Sequence, residues 1–243
     1  MPEGPSIVIL RELIEDLKLE GTKVLKVIGT TELDKKRMEG QKVLAFKTWG
    51  KHFLICFKGF ALRIHLMMFG TYRINEHKKV KPKISFIFKD NEINFYTCSL
   101  QFIEDDLDNV YDWSADIMSK KWDVKKTVKR LADHNDDLVC DVLLNQQLFS
   151  GSGNIIKNEV LYQIGVQPKS KIKDLPLIKL KALATHAKSY AFDFLKWKKE
   201  YTLSKHWEVY SQKICPQKHP IKKEDIGKNK RISYYCETCQ KLY

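Results

Sequence analysis

The sequence predicts an α+β protein of two domains, in which a helix and a strand-rich segment precede a helical segment and a small cysteine module. Three observations support this prediction. Apolar residues recur at three- and four-residue spacing near the start, short alternating or β-branched segments fill 22–100, and helical patterns dominate from about 124 onward. A chain of 243 residues has room for two compact domains.

The first helix is expected over 5–18, where charged residues separate the apolar positions and Gly21 follows the last turn. Its apolar face comprises Ile7, Leu10, Leu13, Ile14 and Leu17. Strands are then expected at 22–28, 43–48, 53–57, 61–66, 71–74, 84–89 and 93–98. Short strands at this spacing, with turn residues between many of them, favour a sandwich or a barrel.

The second half of the chain carries helical patterns. Helices are expected over 137–148 and 155–164, with two more between 176 and 213. The acidic, tryptophan-containing stretch before them is interpreted as a linker. The expected organisation is an N-terminal domain at 1–103, a linker at 104–123, a helical domain at 124–213 and a cysteine module at 214–243.

The charge balance favours an anionic partner. Lys and Arg total 43 against 30 acidic residues, a net charge of +13, and nucleic acid is the first candidate. The alternative is a basic protein whose charge serves solubility alone. No apolar run is long enough to span a membrane, so no membrane partner is expected. Three cysteines within apolar surroundings are interpreted as small core residues: Cys56, Cys98 and Cys140.

The remaining cysteines predict a structural zinc site. Cys215 and His219 form one short pair, and Cys236 and Cys239 form another. Each pair fits on one tight turn, so four ligands can surround Zn²⁺ tetrahedrally with no open position. A module this small has little core and depends on the metal to fold. The alternative is a set of unrelated cysteines near the end of the sequence.

The start of the sequence holds a candidate nucleophile. Removal of Met1 would leave Pro2 with a free secondary α-amine, whose pKa near 8 makes it partly unprotonated at neutral pH. Amines attack aldehydes to form Schiff bases, and the adjacent Glu3 could move protons. The alternative is an inert chain start.

Two further motifs each allow two interpretations. The paired glycines before Asn154 permit a phosphate site at a helix N-terminus, or an ordinary turn with Asn154 as N-cap. The segment Met67, Met68 and Phe69 before Gly70 reads as buried core, or as an exposed wedge that unstacks bases.

Taken in order, these motifs resemble the Fpg/Nei family, which comprises formamidopyrimidine-DNA glycosylase and endonuclease VIII. The resemblance extends over essentially the whole chain. The matching segments are Met-Pro-Glu-Gly-Pro at 1–5, Trp-Gly-Lys at 49–51, His-Leu-Met-Met-Phe-Gly at 65–70, Leu-Leu-Asn-Gln at 143–146 with Gly-Ser-Gly-Asn at 151–154, and Arg-Ile-Ser-Tyr-Tyr-Cys at 231–236.

The resemblance implies an N-terminal β-sandwich with an N-terminal helix, a helix–two-turn–helix domain and a zinc finger. It implies a bifunctional glycosylase and lyase that flips an oxidised base out of DNA, pyrimidines more than purines. Pro2 would attack C1′ of the sugar and Glu3 would assist proton transfer. Elimination of the β,δ type would then cut the strand.

The resemblance also assigns DNA contacts. Lys51 belongs to the implied catalytic set and, with Asn154 and Arg231, would contact phosphates around the flipped nucleotide. Met67, Met68 and Phe69 would fill the gap left by the base. Phosphate contacts fix register without reading sequence, which suits a repair enzyme.

Two departures from the family pattern stand out. Ser6 occupies a position where many members have a second glutamate, which bears on base removal more than on lyase chemistry. The finger begins with Cys-x-x-x-His in place of Cys-x-x-Cys, which resembles the Nei-like subgroup that favours open DNA. Duplex, bubble and single-stranded DNA all remain candidate substrates.

Two other functions compete with this hypothesis. A non-catalytic DNA-binding protein would use the same charge and finger but does not need Pro2-Glu3. A zinc-containing RNA-binding protein explains the charge and leaves the chain start unexplained. We expect a monomer. The expected compartment is the bacterial cytoplasm, at the nucleoid, because the sequence ends just after the finger, or the nucleus of a eukaryotic host.

Overall fold

The computed structural model describes residues 2–228 and 230–243. They fold into two compact units: one contains Pro2 and 6–111, the other contains 3–5 and 112–243. The first is dominated by an antiparallel sheet and the second by helices, so the α+β prediction is confirmed. Among the described residues, no helix combines the length and apolar character that a membrane span requires.

The predicted first helix is present as α1, Gly4–Glu15, three residues shorter at its C-terminal end than expected. Ile7, Leu10 and Ile14 pack into the core of the first unit. Leu13 is 42% exposed, because the apolar stripe that faces the sheet is narrower than the sequence pattern indicated.

Six antiparallel strands form one sheet in the order β1-β5-β6-β4-β3-β2. They are β1 Lys26–Ile28, β2 Ala45–Trp49, β3 His52–Phe57, β4 Phe60–Ile74, β5 Ile84–Ile87 and β6 Glu92–Ile103. The prediction of separate strands at 61–66 and 71–74 was wrong, because β4 continues through both segments with a register shift between Leu66 and Thr71. The strands of the first unit therefore form one continuous sheet.

Apolar side chains from non-adjacent strands meet in one core. β4 separates β3 from β6 in the sheet order, yet the ring centroids of Phe53 and Phe95 are 5.9 Å apart. Ile64 and Phe86 are fully buried in the same cluster. Cys98 is buried as expected, whereas Cys56 is half-buried at the outer side of β3.

The first unit ends with the short helix α2 Leu107–Val110. The second unit contains α3 Val124–Leu131, α4 Val139–Leu144, α5 Asn154–Gln163 and α6 Leu177–Lys199. Between 176 and 213 two helices were predicted, and the structure has one long helix followed by a 3-10 turn at Leu203–His206. The break falls at Tyr201, whose left-handed φ of 58° ends the helix.

Helix α5 lies at the centre of this unit. Its Ile156 and Val160 are fully buried with Leu183 and Ala187 of α6. A two-stranded hairpin of β7 Lys222–Ile226 and β8 Arg231–Tyr235 packs on the same core through Tyr235. Cys140 on α4 is buried there, as its apolar surroundings predicted.

Candidate active site and metal centre

The carboxylate of Glu3 caps helix α5. It accepts hydrogen bonds from the backbone N–H groups of Gly153, Ile155 and Ile156 at 3.1, 2.7 and 3.3 Å. The first N–H groups of a helix lack partners within the helix and carry a positive partial charge, which favours an anion. The side chain of Glu3 is therefore fixed, and its residue is only 4% exposed.

The glycines of this loop make room for the carboxylate. A Cβ at Gly153 would lie 2.5 Å from Cγ and Cδ of Glu3, which only glycine avoids. The backbone N–H of Gly4 donates to the carbonyl of Gly151 at 2.8 Å and holds the two segments together. The close approach that the paired glycines predicted is thus made by Glu3 of the same chain.

Asn154 is the first residue of α5, and the prediction that it is the N-cap was wrong. The cap position is occupied by Gly153, because the carboxylate of Glu3 supplies the acceptor that a capping side chain would provide. The Asn154 side chain instead donates from Nδ2 to the carbonyl of Ile232 at 2.9 Å. This bond joins the start of α5 to β8, whose first residue is the exposed Arg231.

Lys51 lies in the tight turn between β2 and β3. Trp49 and His52 are paired across the turn, and Gly50 adopts the left-handed conformation with φ 53°. The carbonyl of Lys51 accepts a hydrogen bond from Nδ1 of His65 at 3.2 Å. The turn is therefore supported from the neighbouring strand.

An aromatic cluster that the sequence did not predict surrounds this turn. His52 Nδ1 lies 3.2 Å from the hydroxyl of Tyr111, and the Trp49 and Tyr111 ring centroids are 4.8 Å apart. The His52 and His65 rings meet edge to face at 5.3 Å. Burial, helped by the positive charge of nearby Arg63, lowers the pKa of His52 to about 3. His52 and His65 meet because β3 pairs with β4, and sequence spacing does not reveal that pairing.

The half-buried His52 predicts a loss of stability in acid. Below its ordinary pKa of 6.5, the unfolded chain binds a proton that the folded chain excludes. The free energy of unfolding is therefore expected to fall by about 2 kcal/mol from this residue between pH 7 and pH 5. Urea unfolding at both pH values should show a smaller fall for His52→Phe. An unchanged fall for His52→Phe would contradict the assignment.

The segment Met67, Met68 and Phe69 is exposed, so its interpretation as buried core was wrong. The side chains are 44%, 50% and 79% exposed. Between Leu66 and Thr71, four residues of β4 oppose the single Thr97 of β6, so the extra residues bulge out of the sheet. Gly70 closes the bulge where a Cβ would lie 2.7 Å from the carbonyl oxygen of Thr97.

The four predicted metal ligands lie together at the end of the second unit. The ligand atoms of Cys215, His219, Cys236 and Cys239 are all within 4.8 Å of one another. Cys215 Sγ is 3.8 Å from His219 Nδ1 and 3.9 Å from Cys239 Sγ, while His219 Nδ1 is 3.3 Å from Cys239 Sγ. Tetrahedral zinc requires ligand atoms about 3.5–3.8 Å apart. The cluster therefore has the donor set and spacing to hold a metal ion.

The other sequence-predicted positions fall into two groups, one in each unit. Pro2 is half-buried and belongs to the first unit with Lys51 and the Met67–Phe69 bulge. Ser6 is half-buried in the first turn of α1. In the second unit, Glu3 binds the start of α5, and Asn154, the first residue of that helix, binds β8 at the residue after Arg231.

Comparisons with known proteins agree with this architecture. Residues 1–102 match the family model described as formamidopyrimidine-DNA glycosylase N-terminal domain. Endonuclease 8-like 2 of Bos taurus is 29% identical over 195 residues, which cover 74% of this chain and 58% of that protein. Endonuclease 8-like 3 of Mus musculus is 31% identical over 205 residues, covering 80% of this chain and 34% of that protein. The chain thus spans less than two thirds of the length of these relatives.

Solved structures share the fold over nearly the whole chain. A viral DNA glycosylase superposes with a TM-score of 0.85 at 19% identity, covering 98% of this chain and 100% of the other. The Lactococcus lactis formamidopyrimidine-DNA glycosylase, bound non-covalently to DNA with an AP site, superposes with a TM-score of 0.85 at 20% identity, covering 98% and 99%. The family model and the endonuclease 8-like relatives show that the chain belongs to the Fpg/Nei family of DNA glycosylases, and the solved structures show that it has the same fold.

Proposed function

We propose that the protein is a bifunctional DNA glycosylase and AP lyase of base excision repair that acts on oxidised bases, pyrimidines more than purines. The observation that carries the proposal is the fixed carboxylate of Glu3, adjacent in the chain to Pro2 and held by N–H groups of Gly153, Ile155 and Ile156. A carboxylate held in this way next to a candidate amine nucleophile is suited to proton transfer during imine chemistry.

In the proposed reaction the α-amine of Pro2, free once Met1 is removed, attacks C1′ of the damaged nucleotide. The new N–C1′ bond replaces the glycosidic bond, and the base leaves with a proton. Opening of the sugar gives an iminium ion, and Glu3 transfers protons at the opened sugar. The iminium acidifies the adjacent C–H group, so β,δ-elimination expels both flanking phosphates.

The DNA would be held through its backbone and by the exposed bulge. Lys51, Asn154 and Arg231 are proposed to contact the phosphates around the flipped nucleotide. Met67, Met68 and Phe69 are exposed apolar side chains on the bulge of β4, which supports a role in filling the vacated base position. The net charge of +13 supports attraction to DNA without sequence preference.

We propose that the four-ligand cluster holds one structural Zn²⁺. Three cysteines and one histidine leave no open position for a reactant, so the ion would stabilise the finger and supply no chemistry to the reaction. The finger includes the hairpin of β7 and β8, and Arg231 is the first residue of β8. Metal binding would therefore support the proposed DNA contact of Arg231.

The finer features of the proposal concern the DNA and the cell. Ser6, where many family members have a glutamate, and the Cys-x-x-x-His start of the finger support a preference for bubble or single-stranded DNA over duplex. We propose that the protein acts as a monomer, at the bacterial nucleoid or in a eukaryotic nucleus.

Trapping with borohydride tests the proposed chemistry. The protein is incubated with an oligonucleotide that carries one abasic site, borohydride is added, and a slower-migrating covalent complex is expected on a denaturing gel. The same protein with an uncleaved N-terminal tag should give no complex, because its Pro2 nitrogen is acylated. Pro2→Gly replaces the secondary amine by a primary amine, which can still form an imine, and should give a weaker complex.

The outcomes separate the proposal from its main competitor. A complex that survives the N-terminal block would refute Pro2 as the nucleophile. Zinc-loaded protein that binds the oligonucleotide and forms no complex would refute the lyase and favour a non-catalytic DNA-binding protein with the same fold. Mass spectrometry of the same sample establishes whether Met1 is removed, so a failure of processing is not mistaken for a failure of chemistry.

A further inference from the structure

A lysine is completely buried one turn into helix α5. Lys157 is 0% exposed, and its Nζ donates to Oγ of Ser233 at 2.8 Å and to the carbonyl of Ile232 at 3.1 Å. Both acceptors belong to β8. A buried ammonium group loses its hydration and is retained only where specific acceptors replace the water.

The environment of Lys157 shows that this position is costly. Burial lowers the pKa of Lys157 to about 8, and Arg231 contributes in the same direction. Asp141, Cys140 and Glu3 act in the opposite direction. A methionine side chain has a similar length and would fill the same space without the cost of burying a charge. Packing alone therefore does not account for the lysine.

One carbonyl oxygen receives two side chains from the same face of α5. Asn154 and Lys157, three residues apart, both donate to the carbonyl of Ile232, at 2.9 and 3.1 Å. Ile232 directly follows Arg231 in β8. The path of the backbone on the C-terminal side of Arg231 is therefore determined by helix α5.

Helix α4 fixes the other side of the hairpin turn. The carboxylate oxygens of Asp141 accept the backbone N–H of Lys228 at 3.0 and 3.1 Å. Gly227 adopts φ 85°, and a Cβ there would lie 2.2 Å from Oδ1 of Asp141. The side chain of Lys228 also binds Asp137 at 2.5 Å. The hairpin is thus attached before and after the segment that carries Arg231.

We propose that Lys157 is a positioning residue that holds β8 so that Arg231 presents its guanidinium group to a DNA phosphate. The inference rests on the proposed function, because it requires Arg231 to contact DNA. Lys157 itself is too deeply buried to touch the nucleic acid and acts through the backbone of Ile232 and the hydroxyl of Ser233.

The dependence of DNA affinity on salt tests this role. Each phosphate contact contributes about 0.9 to the slope of log affinity against log salt concentration. Lys157→Met should reduce the slope by about that amount and weaken binding roughly tenfold at ~0.1 M salt, and Arg231→Ala should do the same. The double variant should bind as Arg231→Ala alone does, since Lys157 would act only through Arg231.

Controls separate positioning from general destabilisation. Leu183→Ala removes a fully buried side chain of α6 and should lower thermal stability without changing the salt slope. Metal content must remain one ion per chain in every variant. Ser233→Ala removes one acceptor of Lys157 without changing charge and should reduce the slope in the same direction, and it replaces Lys157→Met if that variant does not fold.

Two results would overturn the inference. One is a Lys157→Met protein that keeps the wild-type slope while Arg231→Ala reduces it. The other is a double variant whose losses add. A wild-type slope in Arg231→Ala would instead refute the phosphate contact of the proposed function, and the positioning role with it.

Discussion

Substitution of Gly153 by alanine is expected to reduce strand cleavage at an abasic site by about 100-fold or more, because proton transfer by a positioned side chain contributes at least that much. The new Cβ would lie 2.5 Å from Cγ and Cδ of Glu3, so the carboxylate must leave its place at the start of α5. The chemical identity of Glu3 is unchanged. Single-turnover cleavage of an abasic oligonucleotide measures the loss directly.

A double-mutant cycle identifies the cause. Glu3→Ala should lose a similar factor, and adding Gly153→Ala to it should change the rate little, because the atoms nearest to the new Cβ are those of Glu3. Both single variants should also be less stable by about 1–3 kcal/mol, since buried N–H groups lose their acceptor. Full activity in folded Gly153→Ala protein, or losses that multiply in the double variant, would contradict a role for the fixed carboxylate.

Gly59→Ala provides a matched control for the glycine substitution. Gly59 lies in the turn between β3 and β4 with φ 82°, and a Cβ there has no neighbour within 4 Å. The backbone conformation makes this change cost about 1 kcal/mol. Its cleavage rate should stay close to that of the wild type, which separates displacement of Glu3 from a general effect of added strain.

The sequence identified the parts of this arrangement but not their contact. Glu3 and the loop before Asn154 were both recognised as chemically significant. Their hydrogen bond connects residues 150 positions apart, from Glu3 to Gly153. Local spacing carries no information about such a partner, so the loop allows two interpretations, one of which makes Asn154 the N-cap. The fold supplied Glu3 as the acceptor instead.

The bulge of β4 shows a different limit. Apolar residues such as Met67 and Phe69 next to strand residues match the pattern of buried core. Their exposure follows from the pairing of β4 with β6, where four residues oppose one across the register shift. Register is a property of two strands, and one segment read alone does not reveal it. The family resemblance identified this segment as exposed because it draws on more than local pattern.

The metal site was the most predictable feature, because its information is local. Two short pairs of ligands, Cys215 with His219 and Cys236 with Cys239, were expected to converge, and their ligand atoms lie within 4.8 Å of one another. The attachments of the hairpin to Lys157 and Asp141 were not expected, since they come from helices distant in sequence. The finger is thus held both by its own ligands and by the helices.

Removal of the metal is expected to unfold the finger while the helical core of the second unit remains folded. Structural zinc contributes about 10 kcal/mol or more of apparent binding free energy in small fingers, and the local core here contains little besides Val209 and the buried cysteines. Elemental analysis should find one zinc ion per chain. A chelator should remove it, abolish trapping and weaken DNA binding with a reduced salt slope, because Arg231 loses a fixed strand.

Cysteine variants test whether this loss belongs to the cluster. Cys239→Ser should lose the metal and behave as the chelated protein does, whereas Cys56→Ser, a half-buried thiol on β3, should retain both metal and DNA binding. Amide hydrogen exchange should show loss of protection in β7 and β8 and continued protection in α5 and α6. The helices are expected to persist because their core has its own buried apolar side chains, such as Ile156 and Leu183. A metal-free protein with protected β7 and β8 would show that the attachments to α4 and α5 hold the hairpin without zinc.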